Sequence, residues 1–148
     1  MEKKKETQDE KMYCITLKES QMMRLARAAD IVSRVRCGQF WDIQQIMEAA
    51  YDRHHDTKIG DDDWYDMRHE VESALARLKK LCWDVDSGAN HGIHYDEEAD
   101  SLFDMRKSME MAYWENMPPE RKEALRMSVM SDGPLGIDKD GEITVKRV

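Results

Sequence analysis

The sequence predicts a mainly helical α+β fold: four to five helices with a small antiparallel β element formed near the chain ends. Three observations predict it. Apolar residues recur at spacings of three and four along several long stretches, which is the period of a helix with one buried face. Clusters of glycine, proline and aspartate separate those stretches. Short alternating runs lie near both ends, MYCITL at 12–17 and ITV at 143–145, with the two-residue period of strands.

Residues 1–11, MEKKKETQDEK, are almost wholly polar and are expected to form a disordered tail, leaving 12–148 as one globular domain. In MYCITL, Tyr13, Ile15 and Leu17 share one face of a strand. Thr16 and Glu19 have the spacing of a capping box, in which each side chain satisfies an orphan amide of the other. Met22, Leu25, Ala29 and Val32 then mark a helix to about Cys37, with Gly38 supplying a left-handed exit.

A second helix is expected from Gln39, carrying Phe40, Ile43, Ile46, Met47 and Ala50 and fading between Asp52 and Lys58. The third has the clearest stripe: Trp64, Met67, Val71, Ala74, Leu75, Leu78 and Cys82. Residues 85–98, VDSGANHGIHYDEE, read as an irregular loop with a short extended piece at Gly92–Tyr95. A fourth helix begins within Asp96–Asp100 and carries Leu102, Phe103, Met109, Ala112, Tyr113 and Met117. Pro118 and Pro119 stop it, and Pro119 opens a fifth helix that Gly133 ends. The turn dipeptide Asp140-Gly141 predicts a hairpin, or a single strand pairing with residues 12–17.

Net charge of −8 argues against broad binding to nucleic-acid backbones, so nucleic acid is not an expected partner. No apolar run reaches the roughly eighteen residues of a membrane span, and the first residues lack the apolar stretch of a secretory signal. Cys14, Cys37 and Cys82 have no paired spacing, which, with the lack of an export signal, predicts reduced thiols, buried as small hydrophobes, in a cytoplasm. Twelve methionines and four tryptophans are residue types enriched at adaptable contacts, so a homo-oligomer is a second expectation.

Four constellations could carry chemistry. His55-Asp56-Thr57, within HHDTKIGDDDW (54–64), has the H-x-T pattern of two-histidine phosphoesterases, but no second copy occurs. Asp61, Asp62 and Asp63 have a sufficient structural role, because carboxylates in a first turn oppose the positive end of the helix dipole, each by about 0.3–1 kcal/mol. His91 and His94, followed by Asp96, Glu97 and Glu98, could hold a divalent ion only if the loop converged them. Asp138–Ile143 echoes an EF-hand loop, but Gly136 and Arg147 stand at its first and twelfth ligand positions. Arg24, Arg27, Arg34 and Arg36, with Gln39 and Trp41 beyond the glycine, offer guanidinium forks and a stacking plane for a phosphate-bearing ligand or an acidic surface. No P-loop, GxSxG, HExxH or dinucleotide fingerprint is present, so no catalytic residue, metal or cofactor is assigned.

ITLKESQMMRLARAADIVSRVRCGQFWDI, residues 15–43, resembles small phage- and prophage-encoded proteins of gut-type bacteria. The likeness covers about a fifth of the chain and implies a mobile-element origin without any activity to carry over. A non-enzymatic phage accessory protein follows as the leading expectation. It would act against host defence, by sequestering a nucleotide-type signalling molecule or by blocking a host defence protein. The sequestering version would use Arg34, Arg36, Gln39 and Trp41, joined by the loop residues His91, His94 and Tyr95. Two alternatives stand beside it: a histidine-dependent or metal-dependent phosphoesterase, in which His54 or His55 must meet His91 or His94, and a homo-oligomeric interaction module.

Overall fold

The structure, a computed structural model, describes residues 13–55, 60–124, 134–136 and 144–145. Among them are five helices: α1 (Glu19–Arg36), α2 (Trp41–His55), α3 (Asp62–Trp83), α4 (Glu97–Glu115) and α5 (Pro119–Ala124). The expected β element is corrected by this architecture, since the described residues contain no strand. Residues 13–18 precede α1 without belonging to a sheet, and Tyr13 and Ile15 face solvent. Alternation prepares a strand, but only a neighbouring edge satisfies its backbone groups. Thr144 and Val145 belong to no strand, and the hairpin turn at Asp140-Gly141 lies outside the described residues, as do the EF-hand-like Asp138–Ile143 and the N-terminal tail.

The helices pair as two antiparallel couples. In the first, α1 and α4 run in opposite directions: Ser33 Oγ donates to the Ala99 carbonyl at 2.8 Å, and Arg106 Nη1 donates to Asp30 Oδ1 at 2.8 Å. In the second, Gln44 of α2 donates to Glu72 of α3 at 3.0 Å, and Arg68 of α3 reaches Glu48 of α2 at 3.6 Å. Gly38 joins the couples. Its φ of +77° is the left-handed exit expected from the sequence, and its Cα side lies against the Trp83 ring, which donates Nε1–H to the Arg36 carbonyl at 2.7 Å.

Which faces are buried differs from the sequence reading. On α1 the seam against α4 is made of small and polar residues, Ala26, Ala29, Asp30, Ser33 and Cys37, while Leu25 and Val32 face outward. Small residues let two helices approach closely, and the larger aliphatics of the same helix are then displaced to its other side. On α3 only Trp64 of the expected stripe is buried; Met67, Val71 and Leu75 are half-buried, and Ala74, Leu78 and Cys82 are exposed. For α4 the reading holds better, with Met109, Ala112 and Met117 buried. No large side chain is fully buried among the described residues, and the interior is rich in charge: Asp30, Asp42, Lys79, Asp100, Asp104, Arg106 and Lys107 are all buried.

Local signals are corrected in two places. Lys18, not Thr16, is the N-cap of α1, and Gln21 Oε1 accepts from the Lys18 amide at 2.9 Å. Asp61 occupies the N-cap of α3 without a side-chain bond to its amides, while Asp62 and Asp63 stand in the first turn as expected. Pro119 opens α5; its expected continuation to Gly133 lies outside the described residues from 125 onward. No helix of the described residues is long and apolar enough to cross a membrane.

Candidate functional site

The candidate residues come together where the end of α1, the start of α2 and the loop 84–96 meet. His91 organises this junction. Its backbone amide donates to the Cys37 carbonyl at 2.9 Å, and its Nε2 lies 3.0 Å from the Trp83 carbonyl. A carbonyl only accepts, so Nε2 carries the proton. The imidazole lies flat on the Tyr95 ring, with centroids 3.6 Å apart and planes 2° from parallel. Gln39 bridges the same region, accepting from Arg34 Nη1 at 3.1 Å and donating to Asn90 Oδ1 at 3.2 Å. Arg34–Gln39–Asn90 and Cys37–His91–Tyr95 are thus two contact chains that meet at the neighbours Asn90 and His91.

Charge at the site is balanced within the chain. Asp30 is the hub: Arg27 Nη1 at 3.2 Å, Arg34 Nε at 2.8 Å and Arg106 Nη1 at 2.8 Å all converge on its carboxylate. Buried Asp42 at the start of α2 accepts from Arg27 and lies 3.8 Å from Arg34 Nε. Two buried carboxylates in a place of low polarity require such partners, because a lone buried charge costs several kcal/mol. Arg36 points the other way. It grips Asp96 through Nε at 2.6 Å and Nη2 at 3.0 Å, and its Nη2 also reaches Glu98 at 2.8 Å. Asp96 caps α4 by accepting from the Ala99 amide at 2.8 Å. The Arg36 hydrogen bond, helped by that amide, holds the Asp96 carboxyl below the usual carboxylate range.

Three of the four stripe arginines are thereby paired within the chain. Arg27 and Arg34 serve Asp30 and Asp42, and Arg36 serves the start of α4. A phosphate at Arg36 would have to displace a carboxylate held in fork geometry, and one at Arg34 would compete with Asp30 at Nε and Gln39 at Nη1.

Two hollows flank Gln39. The larger, about 430 Å³, is lined by Phe40, Trp41, Gln44, Glu72, Lys79 and Asn90 among others. Trp41 is 61% exposed there, and Lys79 donates to the Ser87 carbonyl at 2.9 Å. Arg68, and next Gln44, hold the Glu72 carboxyl below its ordinary range. The smaller hollow, about 210 Å³, lies over Arg34, Cys37, His91 and buried Asp100. Burial pushes the Cys37 thiol up. Cys37 is buried as expected, but Cys14 and Cys82 are exposed; all three are free thiols.

The loop histidines do not converge. His94 has a φ of +67°, so the expected extended piece at Gly92–Tyr95 is a turn instead. The His94 amide donates to both Asp100 oxygens at 3.1 Å, and its exposed ring has Nδ1 3.6 Å from Asp100 Oδ2, whereas the His91 ring is spent on the Trp83 carbonyl and Tyr95. Among the described residues no three histidine, cysteine, aspartate or glutamate side chains are grouped as a metal site. His54 and His55 lie at the far end of α2, separated from the His91 junction by about 20 Å of helix rise. Asp56 and Thr57 of the H-x-T pattern lie outside the described residues.

The sequence reading missed the acids that organise the site. Asp30 interrupts an otherwise small, apolar face of α1, and it stands three residues after Arg27 and four before Arg34. That spacing, which favours ion pairs on a helix, was the available signal. Comparison with known proteins adds no relative: no family model, curated protein or solved structure matches the chain.

Proposed function

We propose that the chain is a non-enzymatic accessory protein of mobile-element origin that acts by binding a host protein, in the manner of a blocker of a host defence component. The observation that carries this reading is the internal commitment of the site arginines. Arg34 and Arg36, the groups best suited to capture a phosphate, are held by Asp30 and Asp96. The separation of the two histidine pairs along α2 weighs against a phosphoesterase in the same way. On the positive side, large apolar side chains stand outward among charged ones: Leu25 and Val32 on α1, Trp41 and Ile46 on α2. Apolar anchors within a charged rim are the make-up of protein-binding surfaces, and a net charge of −8 favours a basic partner.

The hollow beside Trp41 supports a second reading, capture of a small molecule. Phe40 and Trp41 offer aromatic planes there and Lys79 is the cation in its lining, so the ligand would be a planar heteroaromatic compound of little charge. Affinity capture from host lysate separates the two. The protein-directed reading expects one host protein retained by the wild type and lost from Val32→Glu or Trp41→Ala. No retained protein, together with a small molecule released on denaturation, would overturn it.

A further inference from the structure

The apolar stripe of α3 has a property that packing within one chain leaves unused. Trp64, Met67, Val71, Ala74, Leu78 and Leu81 follow each other at intervals of three, four, three, four and three residues. That is the a/d repeat of a two-stranded helical seam. Its first half is sheltered: Trp64 is buried, and Met67 and Val71 line a shallow groove with Met47, Ala50 and Tyr51 of α2. Its second half is bare. Ala74 is exposed, Leu78 is 49% exposed and Leu81 is 81% exposed.

We propose that α3 is the interface of a homodimer, in which two copies of this chain pack α3 against α3 in antiparallel fashion about a two-fold axis near residues 72 and 73. The choice of a second copy rests on self-complementarity. In this register Val71 faces the partner's Ala74 and Met67 faces the partner's Leu78, each contact occurring twice by symmetry. The small pair at the centre permits close approach, and the exposed Leu78 covers the half-sheltered groove beside Met67. Charge agrees with the same arrangement. Glu70 and Arg77 both flank the seam at g positions and both are exposed, and Arg77 Nε makes only a long contact, 3.3 Å, to the Ser73 carbonyl. Antiparallel pairing sets Glu70 beside the partner's Arg77 and Arg77 beside the partner's Glu70. Parallel pairing would set each opposite an uncharged residue, Leu75 or Cys82, and would gain no ion pair. This self-association is independent of which host protein or ligand the chain binds.

Sedimentation equilibrium over roughly 5–500 µM reads the dimer directly. Expected is a reversible monomer–dimer equilibrium that Leu78→Glu, which sets a carboxylate against the partner's Met67, shifts to monomer with unchanged helical circular dichroism. Leu78 is half exposed in the single chain, and Glu70 and Arg77, both exposed, give a test that does not depend on it. Glu70→Arg alone should weaken the dimer by about threefold to thirtyfold, and Glu70→Arg with Arg77→Glu should restore it to within about threefold. A wild type that stays monomeric throughout, a dimer indifferent to Leu78→Glu, or a charge swap that does not restore association would each overturn the proposal.

Discussion

Asp30 on α1 and Arg106 on α4 form an ion pair at 2.8 Å in which both side chains are buried. It lies along the same α1–α4 seam as the Ser33–Ala99 hydrogen bond, and it ties the most extensive helix pairing to the arginines of the candidate site. The two partners are not equivalent. Asp30 retains Arg27 and Arg34 if Arg106 is removed, whereas Arg106 is left with the Phe103 ring and a carboxylate no closer than Glu110, 4.0 Å away among the described residues, if Asp30 is removed. Asp30→Leu should therefore destabilise by about 3–5 kcal/mol, the range for a stranded buried charge, and Arg106→Met by less. Urea unfolding of both variants and of the double substitution measures this; the double should recover part of the loss.

Asp96 gives the fold a defined acid sensitivity. Its carboxyl is held below the ordinary range by Arg36, so it binds protons less readily when folded than when unfolded. The stability it adds is present above the unfolded value of about 3.9 and is lost as pH falls through the lower folded value. Asp96→Ala should cost about 1–2 kcal/mol at pH 7 through loss of the cap on α4, and the difference from wild type should shrink below about pH 4. Thermal unfolding followed across pH 2–7 would show that convergence, or its absence.

Gly38 should not tolerate a side chain. A Cβ there would meet Trp83 Cγ at 3.5 Å, an ordinary contact, so the cost comes from the φ of +77°. Gly38→Ala is expected to lose about 1–2 kcal/mol, while Gly38→Asn should lose less because asparagine visits this region more readily. Chemical denaturation of the two variants gives the comparison.

Thiol chemistry should sort the cysteines by burial. Cys14 and Cys82 are exposed and are expected to react rapidly with an aromatic disulfide reagent at pH 8 and low micromolar protein. Cys37 should react slowly, because burial both shields its thiol and raises its pKa. Mass spectrometry of partly modified protein identifies which positions react first.

Helices were legible where the period was long and the ends carried punctuation. Gly38 closed α1, Pro118 and Pro119 separated α4 from α5, and Met109 and Ala112 of the α4 stripe are buried as read, with Leu102, Phe103 and Tyr113 half-buried. The sequence misled about direction on α1, where period selected Met22, Leu25, Ala29 and Val32, of which only Ala29 is buried, while the close approach of α4 buries Ala26 and Ser33 beside it. Hydrophobic period marks an apolar face without naming the neighbour that covers it, and α1 has two such faces. The same holds for charge. The arginines were visible as a cluster, but Asp42 and Asp96 are 15 and 60 residues from the arginines they bind and Arg106 is 76 residues from Asp30, beyond any local spacing rule. Gln39 was singled out just past Gly38 and His91 by its spacing to His94; Asn90 was legible as a loop residue, and neither it nor Lys79 carried a spacing that marks a ligand contact.

Titration of the purified protein with cyclic dinucleotides, cyclic trinucleotides and ADP-ribose derivatives in a calorimeter tests the central claim most directly, namely that the arginines of the α1–α2 junction serve the fold. Expected is no saturable heat from any of them, with Arg34→Ala changing unfolding stability and nothing else. Saturable binding of one of these phosphates, abolished by Arg34→Ala in a protein that remains folded, would contradict the account.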